Sequence, residues 1–347
     1  MNSQKDISTM LNLIQAPAFC VYQGNVVQAN PAAQAMMITP GMPVDQLISV
    51  GREAYREFEG ELLYLCVSCF GISRGACVCR MDTGDLFILE SGSASNELST
   101  LALAARQLRE PLIKVMSAAQ RLDAAGCQED AASLNRGLHQ MLRILGNMSD
   151  AAFSLNTSGK QMLNISALVN EIFEKAQSLI CHTGIRLEYK ALSDAIYTLA
   201  DPVQLERAIL NILSNAVKFS TPGSSIEASF TRRGKILYLR LQDCGCGIAD
   251  EILPTLFSRY LRQPAIEDSH FGLGLGMVLI RAAALNHEGT VLIDRHRGGT
   301  GITLTLPIRQ SNDAVLRSPS LRVDYTGERD HALVELSDSL PDELYTL

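Results

Sequence analysis

Three polar side chains on one predicted helix could hold a phosphate-bearing ligand. In LERAILNILSNAVKFS, residues 205–220, Asn211 and Asn215 lie one helical turn apart, and Lys218 follows three residues later. An amide oxygen can ligate a Mg²⁺ ion that also takes phosphate oxygens, and a neighbouring ammonium neutralises phosphate charge. The apolar residues of the other face are Leu205, Ala208, Ile209 and Ile212. Taken alone, the segment would also fit an ordinary amphipathic helix with a solvent-facing polar side.

Two glycine-bearing segments further along the chain could complete such a site. In LQDCGCGIADE, residues 241–251, Asp243 ends a predicted strand, and Gly245 and Gly247 permit a tight turn and close approach to a ligand. The Asp243 carboxylate could accept a hydrogen bond from an exocyclic amine such as that of adenine. In HFGLGLGMVLIRAAAL, residues 270–285, glycines lead into an apolar-periodic helix, whose first N–H groups suit phosphates. We expect Cys244 and Cys246 to be small filling residues, with a redox-sensitive thiol as the alternative.

The order and spacing of five segments resemble the ATP-binding domain of sensor histidine kinases, a Bergerat-type α/β sandwich. The segments are the Asn helix, Asp-Cys-Gly-Cys-Gly-Ile, Leu-Phe-Ser-Arg-Tyr, Gly-Leu-Gly-Leu-Gly and Gly-Thr-Gly-Ile-Thr-Leu-Thr-Leu-Pro. They are similar to the N, G1, F, G2 and G3 boxes of that family. The resemblance covers residues 159–309 and implies that ATP and Mg²⁺ are the cofactors.

The resemblance also assigns roles to residues. It implies Mg²⁺ at Asn215 and Asn211, adenine at Asp243, Lys218 facing the phosphates, and a short lid over residues 261–271. The cofactor-binding set that it implies is Asn211, Asn215, Lys218, Asp243, Gly245, Gly247, Ile248, Phe257, Arg259, Gly272, Leu273, Gly274, Leu275, Gly276 and Thr303. Related ATPases carry a water-activating Glu where this chain has Asn211, so fast hydrolysis is not expected.

Residues 93–158 predict a two-helix hairpin. Apolar residues recur at steps of four and three, and the spacing returns after a break at Gly126. The two runs are Leu101, Ala105, Leu108, Leu112, Val115, Ala119 and Leu122, and then Leu134, Leu138, Met141, Leu145, Met148, Ala152 and Leu155. One hairpin cannot bury such a seam alone, whereas a four-helix bundle of two hairpins can. The sequence therefore predicts a homodimer through residues 93–158.

The hairpin departs from the family at the position that would accept phosphate. RQLREPL, residues 106–112, matches the family's phosphoacceptor motif except that Arg106 replaces the His and Gln107 the neighbouring acid. A guanidinium stays protonated and cannot attack a γ-phosphoryl group as a neutral imidazole can. We therefore expect no standard autophosphorylation. Among the His residues His139 is the one on the hairpin, which makes it a weak substitute to test.

Residues 1–92 predict a mixed α/β sensor domain. APAFCVYQGNVVQANPAAQAM is similar to the opening of a PAS domain, although a small α/β domain of another family remains an alternative. Strands are expected at FCVYQ, VVQAN, ELLYLCVSCF, ACVCRM and DLFILE, with turns at Gly71 to Gly75 and Thr83 to Asp85. A metal site at Cys66, Cys69, Cys77 and Cys79 is disfavoured, because strand alternation places Cys66 and Cys69 on opposite faces.

Residues 310–347 predict an acidic, mostly flexible tail. From Arg309 onward it holds four Arg against eight acidic residues, a balance of 4 − 8 = −4. Within the tail, DHALVELSDSL has the spacing of a short docking helix.

The composition bounds the class of protein. Of 347 residues 47% are hydrophobic and 19% charged, and the formal net charge is −7, which is typical of a globular chain of two or three domains and disfavours nucleic acid as a partner. No apolar run approaches the roughly 18 residues of a membrane span, so we expect a cytoplasmic protein. Nine scattered Cys residues predict reduced thiols.

Three classes of function remain open. The first is a dimeric sensor-histidine-kinase homologue of two-component-type signal transduction that binds Mg-ATP. Because of Arg106 it would phosphorylate another residue or protein, or act as a pseudokinase that a response regulator or other protein partner reads. The second is a GHKL-type Ser/Thr protein kinase or anti-sigma-like switch protein on the same nucleotide fold. The third is a non-catalytic dimeric scaffold.

Overall fold

The computed structural model describes residues 11, 13–69, 72–81, 84–90, 108, 112, 115, 128–153, 159–248, 275–296, 298–309, 316–317 and 330–345. The predicted strands of the N-terminal region are present. The elements are β1 (Ala18–Tyr22), β2 (Asn25–Ala29), α1 (Pro31–Ala35), α2 (Val44–Leu47), β3 (Ile48–Val50), α3 (Arg52–Arg56), β4 (Leu62–Cys69), β5 (Ile72–Met81) and β6 (Gly84–Leu89).

Asn30 fixes the start of the N-terminal region. Its side-chain oxygen accepts from the N–H groups of Ala18 and Ala33, and so caps α1. Its amide group donates to the carbonyls of Ile14 and Ala16. Only 2% of Asn30 is exposed, so this one side chain joins the segment before β1 to the helix after β2.

The turn predicted at Gly71 to Gly75 is wrong in its extent. β5 begins at Ile72, and Gly75 lies within the strand, where it pairs with Cys66. A Cβ at Gly75 would overlap the Tyr64 hydroxyl. The glycine therefore makes room for a large neighbour on β4 and does not form a turn.

The helix α4 (Gln128–Phe153) begins after the predicted break at Gly126. Its apolar seam is divided. Of the predicted seam, Leu138 and Leu145 are buried in a cluster with Leu112 and the neighbouring Leu142. Leu134 and Met141, like the neighbouring Ile144, remain 41–54% exposed. The seam was predicted as one continuous surface for a second copy, but part of it is covered within the chain.

The ATPase-like region follows with alternating strands and helices. They are β7 (Gln161–Asn164), α5 (Ile165–Ile180), β8 (Arg186–Lys190), β9 (Tyr197–Ala200), α6 (Pro202–Phe219), β10 (Ser225–Arg233), β11 (Ile236–Gln242), α7 (Leu275–Asn286), β12 (Val291–His296) and β13 (Gly299–Pro307). Helices α5, α6 and α7 share one large buried cluster with alternate residues of β10, β11, β12 and β13. The result is a two-layer α/β arrangement.

One sheet runs through both halves of the chain. Its strand order is β2-β1-β6-β5-β4-β12-β13-β11-β10-β8, with β3 also on β4, which makes eleven strands among the described residues. The junction is the antiparallel pair β4 and β12, in which Leu62 lies opposite Ile293 and Tyr64 opposite Val291. Leu62, Tyr64 and Cys77 also belong to the ATPase-like core.

Charged groups reinforce this junction. The guanidinium of Arg281, on α7, forms an ion pair with Glu90 and lies 5.3 Å from the centre of the Tyr64 ring. The Arg281 side chain is 7% exposed. Since Glu90 follows β6 directly, this contact joins the end of the N-terminal region to the helix after the glycine-rich segment.

The end of the chain packs against the rest. Beyond the two-residue strand β14 (Leu316–Arg317), helix α8 (His331–Glu335) begins at the capping residue Asp330, and a 3₁₀ turn covers Asp342–Tyr345. The docking helix expected in DHALVELSDSL is confirmed. The prediction of a mostly flexible tail is wrong for residues 330–345, because Leu336 and Leu340 are fully buried in the ATPase-like core. We call residues 330–345 the C-terminal segment.

In the described residues, no helix is at once long enough and apolar enough to cross a membrane. The same residues contain no group of three or more Cys, His, Asp or Glu side chains placed to hold a metal ion. Cys66 is partly buried and Cys69 is buried, and burial raises the pKa of the Cys66 thiol to about 11. A protonated thiol is a poor metal ligand.

Candidate functional site

Helix α6 carries the predicted Asn residues, and its ends are well defined. Asp201 caps it by accepting from the N–H groups of Val203 and Gln204, and Pro202 occupies the first helical position. Its apolar face, with Leu205, Ala208, Ile209 and Ile212, is buried as expected. The polar positions are therefore fixed relative to the sheet.

Asn211 and Asn215 have different surroundings. Asn211 is 0% exposed, and its amide group donates to the carbonyl of Arg207 and to the carboxylate of Glu335. Within the described part of the chain its carbonyl oxygen has no hydrogen-bond partner. Asn215 is only partly buried and lies 3.9 Å from the sulfur of Met277 on α7.

Lys218 lies one turn further, near the end of α6. Its side chain is 14% exposed, and its ammonium is 3.8 Å from the Asp338 carboxylate. The helix therefore presents an amide group and an ammonium in succession, as the sequence predicted, but both Asn211 and Lys218 face carboxylates of the C-terminal segment.

Asp243 is held at the end of β11 by the backbone. One carboxylate oxygen accepts from the N–H groups of Gly245 and Thr300, at 2.8 and 3.1 Å, and the residue is 8% exposed. A Cβ at Gly245 would overlap the carbonyl of Phe219, so glycine allows the loop to approach the end of α6. Gly247 has a left-handed φ of 74°.

Gly276, at the start of α7, also occupies a position where a side chain would not fit. A Cβ at Gly276 would lie 2.8 Å from the carbonyl oxygen of Asn211, which is too close for a side chain. Leu275, beside it, is 4% exposed. Gly276 thus lets α7 begin directly against the Asn-bearing face of α6.

Some predicted residues are not brought together with these. Thr303 lies on the face of β13 opposite to Ile302 and Leu304, because side chains alternate along a strand. Its hydroxyl is 3.4 Å from the guanidinium of Arg240. We therefore leave Thr303 out of the candidate site. Ile248 is partly buried against the core, and its carbonyl accepts from Arg295.

Other predictions lie outside the described residues or are corrected. Outside them are Arg106, Gln107, Phe257, Arg259, Gly272, Leu273 and Gly274. Cys244 and Cys246 are exposed and are not filling residues. His139, on α4, has its Nδ1 atom 2.7 Å from the carbonyl oxygen of Asn135, which accepts a hydrogen bond when Nδ1 carries the proton. The His139 ring lies edge-on to Tyr345 at 4.9 Å.

The sequence did not predict the charged cluster around Asn211. The Glu335 carboxylate, with a side chain 3% exposed, lies 2.9 Å from the guanidinium of Arg207 and 3.4 Å from that of Arg143. Arg207 also contacts Asn147 and Asp150 of α4. The one signal was the helical spacing around Glu335, which indicated docking but not the partner.

The comparisons with known proteins agree with this geometry. Residues 200–310 match the family model described as histidine kinase-, DNA gyrase B-, and HSP90-like ATPase. The sensor histidine kinase CusS of Escherichia coli O157:H7 is 27% identical over 214 residues, which are 59% of this chain and 44% of that protein. The chain is a homologue of sensor histidine kinases. The sensor-like histidine kinase SenX3 of Mycobacterium tuberculosis strain H37Rv is 31% identical over 147 residues, 42% of this chain and 35% of that protein.

A solved structure supports the fold. The full-length structure of ShkA in complex with AMPPNP aligns with a TM-score of 0.50 and 20% identity, over 62% of this chain and 47% of that one. The histidine kinase homologue described here spans less than half the length of CusS and SenX3. The ATPase family implies ATP as the ligand of residues 200–310.

Proposed function

We propose that this histidine kinase homologue is a nucleotide-dependent signalling protein that binds Mg-ATP. Adenine would be held by Asp243, the metal by Asn215 with Asn211, and the phosphates by Lys218 and the N–H groups of the glycine-rich segment before α7. The observation that carries the proposal is that α6 is approached at two points: Gly245, which donates to Asp243, lies against Phe219, and Gly276 at the start of α7 lies against Asn211. In this homologue Gly245 and Gly276 let the loop after β11 and the start of α7 approach α6 closely, which brings the proposed adenine and phosphate groups to one helix.

The donor set fits the proposed ligands. Asn211 has a buried carbonyl oxygen without a partner in the described part of the chain, and amide oxygens suit Mg²⁺. Bound Mg²⁺ would neutralise phosphate charge. The chain's own groups would orient the triphosphate, through the α7 start and the Lys218 ammonium.

Arg106 shapes the rest of the proposal. A protonated guanidinium cannot accept the phosphoryl group, so nucleotide binding would act by shifting a conformation that another protein reads. That protein would be a response regulator or another signalling protein. The hairpin would join two copies through residues 93–158, supported by the exposed Leu134, Met141 and Ile144.

Calorimetric titration with Mg-ATP tests the binding site. The wild-type chain should bind, and Asn215→Ala should weaken binding at least about tenfold, which is about 1.4 kcal/mol. Asn170→Ala is the matched control, because this half-buried Asn lies on α5, where it contacts Tyr189. Equal affinity of all three proteins, or no Mg-dependent binding of the wild type, would contradict the proposal.

The same proteins, incubated with γ-labelled ATP, separate the classes of signalling protein. We expect no acid-labile label on the chain. Acid-labile label that is lost in His139→Ala would show an active histidine kinase with an unusual acceptor. Acid-stable label on an added partner protein would instead support a Ser/Thr kinase.

A further inference from the structure

The C-terminal segment brings a carboxylate to the centre of the proposed site. Glu335 is 2% exposed and accepts from the amide group of Asn211 at 3.3 Å. Its other oxygen accepts from Arg207 at 2.9 Å. The side-chain oxygen of Asn211 faces Gly276, and its nitrogen faces Glu335. Both ends of the amide group are therefore enclosed.

A second carboxylate of the segment reaches the predicted phosphate ligand. Asp338 lies 3.8 Å from the ammonium of Lys218 and forms an ion pair with Arg143. The two acidic residues are thus matched to two residues of the proposed nucleotide site. Apolar contacts hold them there, since Leu336 and Leu340 are fully buried.

Carboxylates and phosphates compete for the same cations. A triphosphate at Lys218 would be about as close to Asp338 as the ammonium is, and like charges at that distance repel. A metal ion at Asn211 would also need room beside an amide that Gly276 encloses on its oxygen side and Glu335 on its nitrogen side. We propose that the C-terminal segment is an autoinhibitory element that competes with the triphosphate of Mg-ATP for Lys218 and encloses the neighbouring Asn211. This inference rests on the proposed function.

The segment is also fastened to α4, at a distance along the chain from the site residues. Arg136 donates to the carbonyls of Ser337 and Asp338 and forms an ion pair with Asp342. Gln140 donates to the carbonyl of Ser337 as well. These side chains offer a way to loosen the segment without changing Asn211, Asn215 or Lys218.

The first experiment measures nucleotide affinity in loosened variants of the full chain. Arg136→Ala with Gln140→Ala, and separately Asp338→Asn, should bind a fluorescent ATP analogue with Mg²⁺ between about 5-fold and about 150-fold more tightly than the wild type, the usual range of coupling between two sites. The control is Arg56→Ala, which removes an exposed ion pair with Asp45 far from the segment. It should bind as the wild type does.

The second experiment needs no substitution. Because coupling is reciprocal, a ligand that the segment excludes must in turn loosen the segment. Saturating Mg-ATP should therefore raise hydrogen–deuterium exchange of residues 330–345 in the wild type, whereas Mg²⁺ alone should not. This measurement decides the matter if a variant fails to fold.

The outcomes distinguish the two claims. Unchanged affinity in folded variants whose segment exchanges faster, or protection of residues 330–345 by Mg-ATP in the wild type, overturns autoinhibition and leaves nucleotide binding intact. If neither the wild type nor the loosened variants bind the analogue, the proposed function itself is overturned.

Discussion

Asn211 and Asn215 carry the same side chain on neighbouring turns of α6, but their surroundings give them different chemistry. Asn215 is only partly buried, so its amide can reach a ligand directly. Asn211 is fully buried between α7 and the C-terminal segment. The sequence predicts both side chains on one face, but it cannot predict burial that depends on a segment more than 100 residues away.

His287 gives a prediction about pH. The Nδ1 atom of the ring lies 2.7 Å from the carbonyl oxygen of Ala283. The Nε2 atom accepts a hydrogen bond from the backbone N–H of Asp201 at 2.9 Å. Both contacts suit the neutral ring with a proton on Nδ1. Burial lowers the pKa of His287, and the charge of Lys160 lowers it further, while Asp201 and the Ala283 carbonyl oppose this.

Acidification should therefore destabilise the fold through His287. In the unfolded chain His287 takes up a proton near the ordinary pKa of about 6.5, whereas in the folded chain its pKa is lower. The free energy of unfolding therefore falls as the pH drops below about 6.5. The loss is at most about 1.4 kcal/mol per pH unit. Urea unfolding at pH 7.5 and 5.5 measures it. In His287→Gln the same pH change should cost less; an equal loss would contradict the assignment.

At the scale of elements, the local signals predicted most of the structure. Alternating and helical periodicity placed β1, β2 and β4 to β6, as well as α6 and the docking helix. The turn at Gly75 was wrong because a glycine that makes room for Tyr64 looks the same in sequence as a glycine in a turn. The pairing of β4 with β12 was not predicted, since strands more than 200 residues apart carry no mark of their partner.

The β4 and β12 junction gives a prediction about stability. Arg281→Met removes the partly buried ion pair with Glu90 and the contact with Tyr64, and should lower the free energy of unfolding by about 2 kcal/mol. Arg309→Met is the matched control, because its ion pair with Glu288 is 50% and 40% exposed and contributes roughly 0–1 kcal/mol. Chemical unfolding followed by circular dichroism compares them. Equal losses would mean that the junction does not depend on Arg281.

At the scale of the whole molecule, the predicted bundle seam on α4 serves two purposes. Its residues Leu138 and Leu145, together with Leu142, which was not predicted in the seam, pack against Leu112 and against Val334 of the C-terminal segment. Leu134, Met141 and Ile144 stay exposed, and their spacing of seven and three keeps them on one stripe. The heptad spacing predicted the seam, but the division of the seam depends on tertiary contacts that the spacing does not contain.

The exposed stripe gives a prediction about assembly. Met141→Glu with Ile144→Glu should shift the proposed homodimer toward monomer, because like charges would be buried together without partners in the bundle. Light scattering after size-exclusion chromatography measures the mass at several concentrations. The control is Val27→Glu, at a position that is 46% exposed on β2. A variant that stays dimeric, or a wild type that is monomeric throughout, would contradict assembly through α4.

The pairing of β4 with β12 also has a consequence for synthesis on the ribosome. β4 ends at residue 69 and β12 begins at residue 291, so 290 − 69 = 221 residues lie between them. At about 5–20 residues per second, the Leu62 to Tyr64 part of the β4 edge waits roughly 10–45 s for its partner, while β3 can already pair with Cys66 and Val67. During that interval the apolar edge is open to strands of other chains. Chaperone binding near β4 on the translating ribosome would protect it until its partner strand emerges.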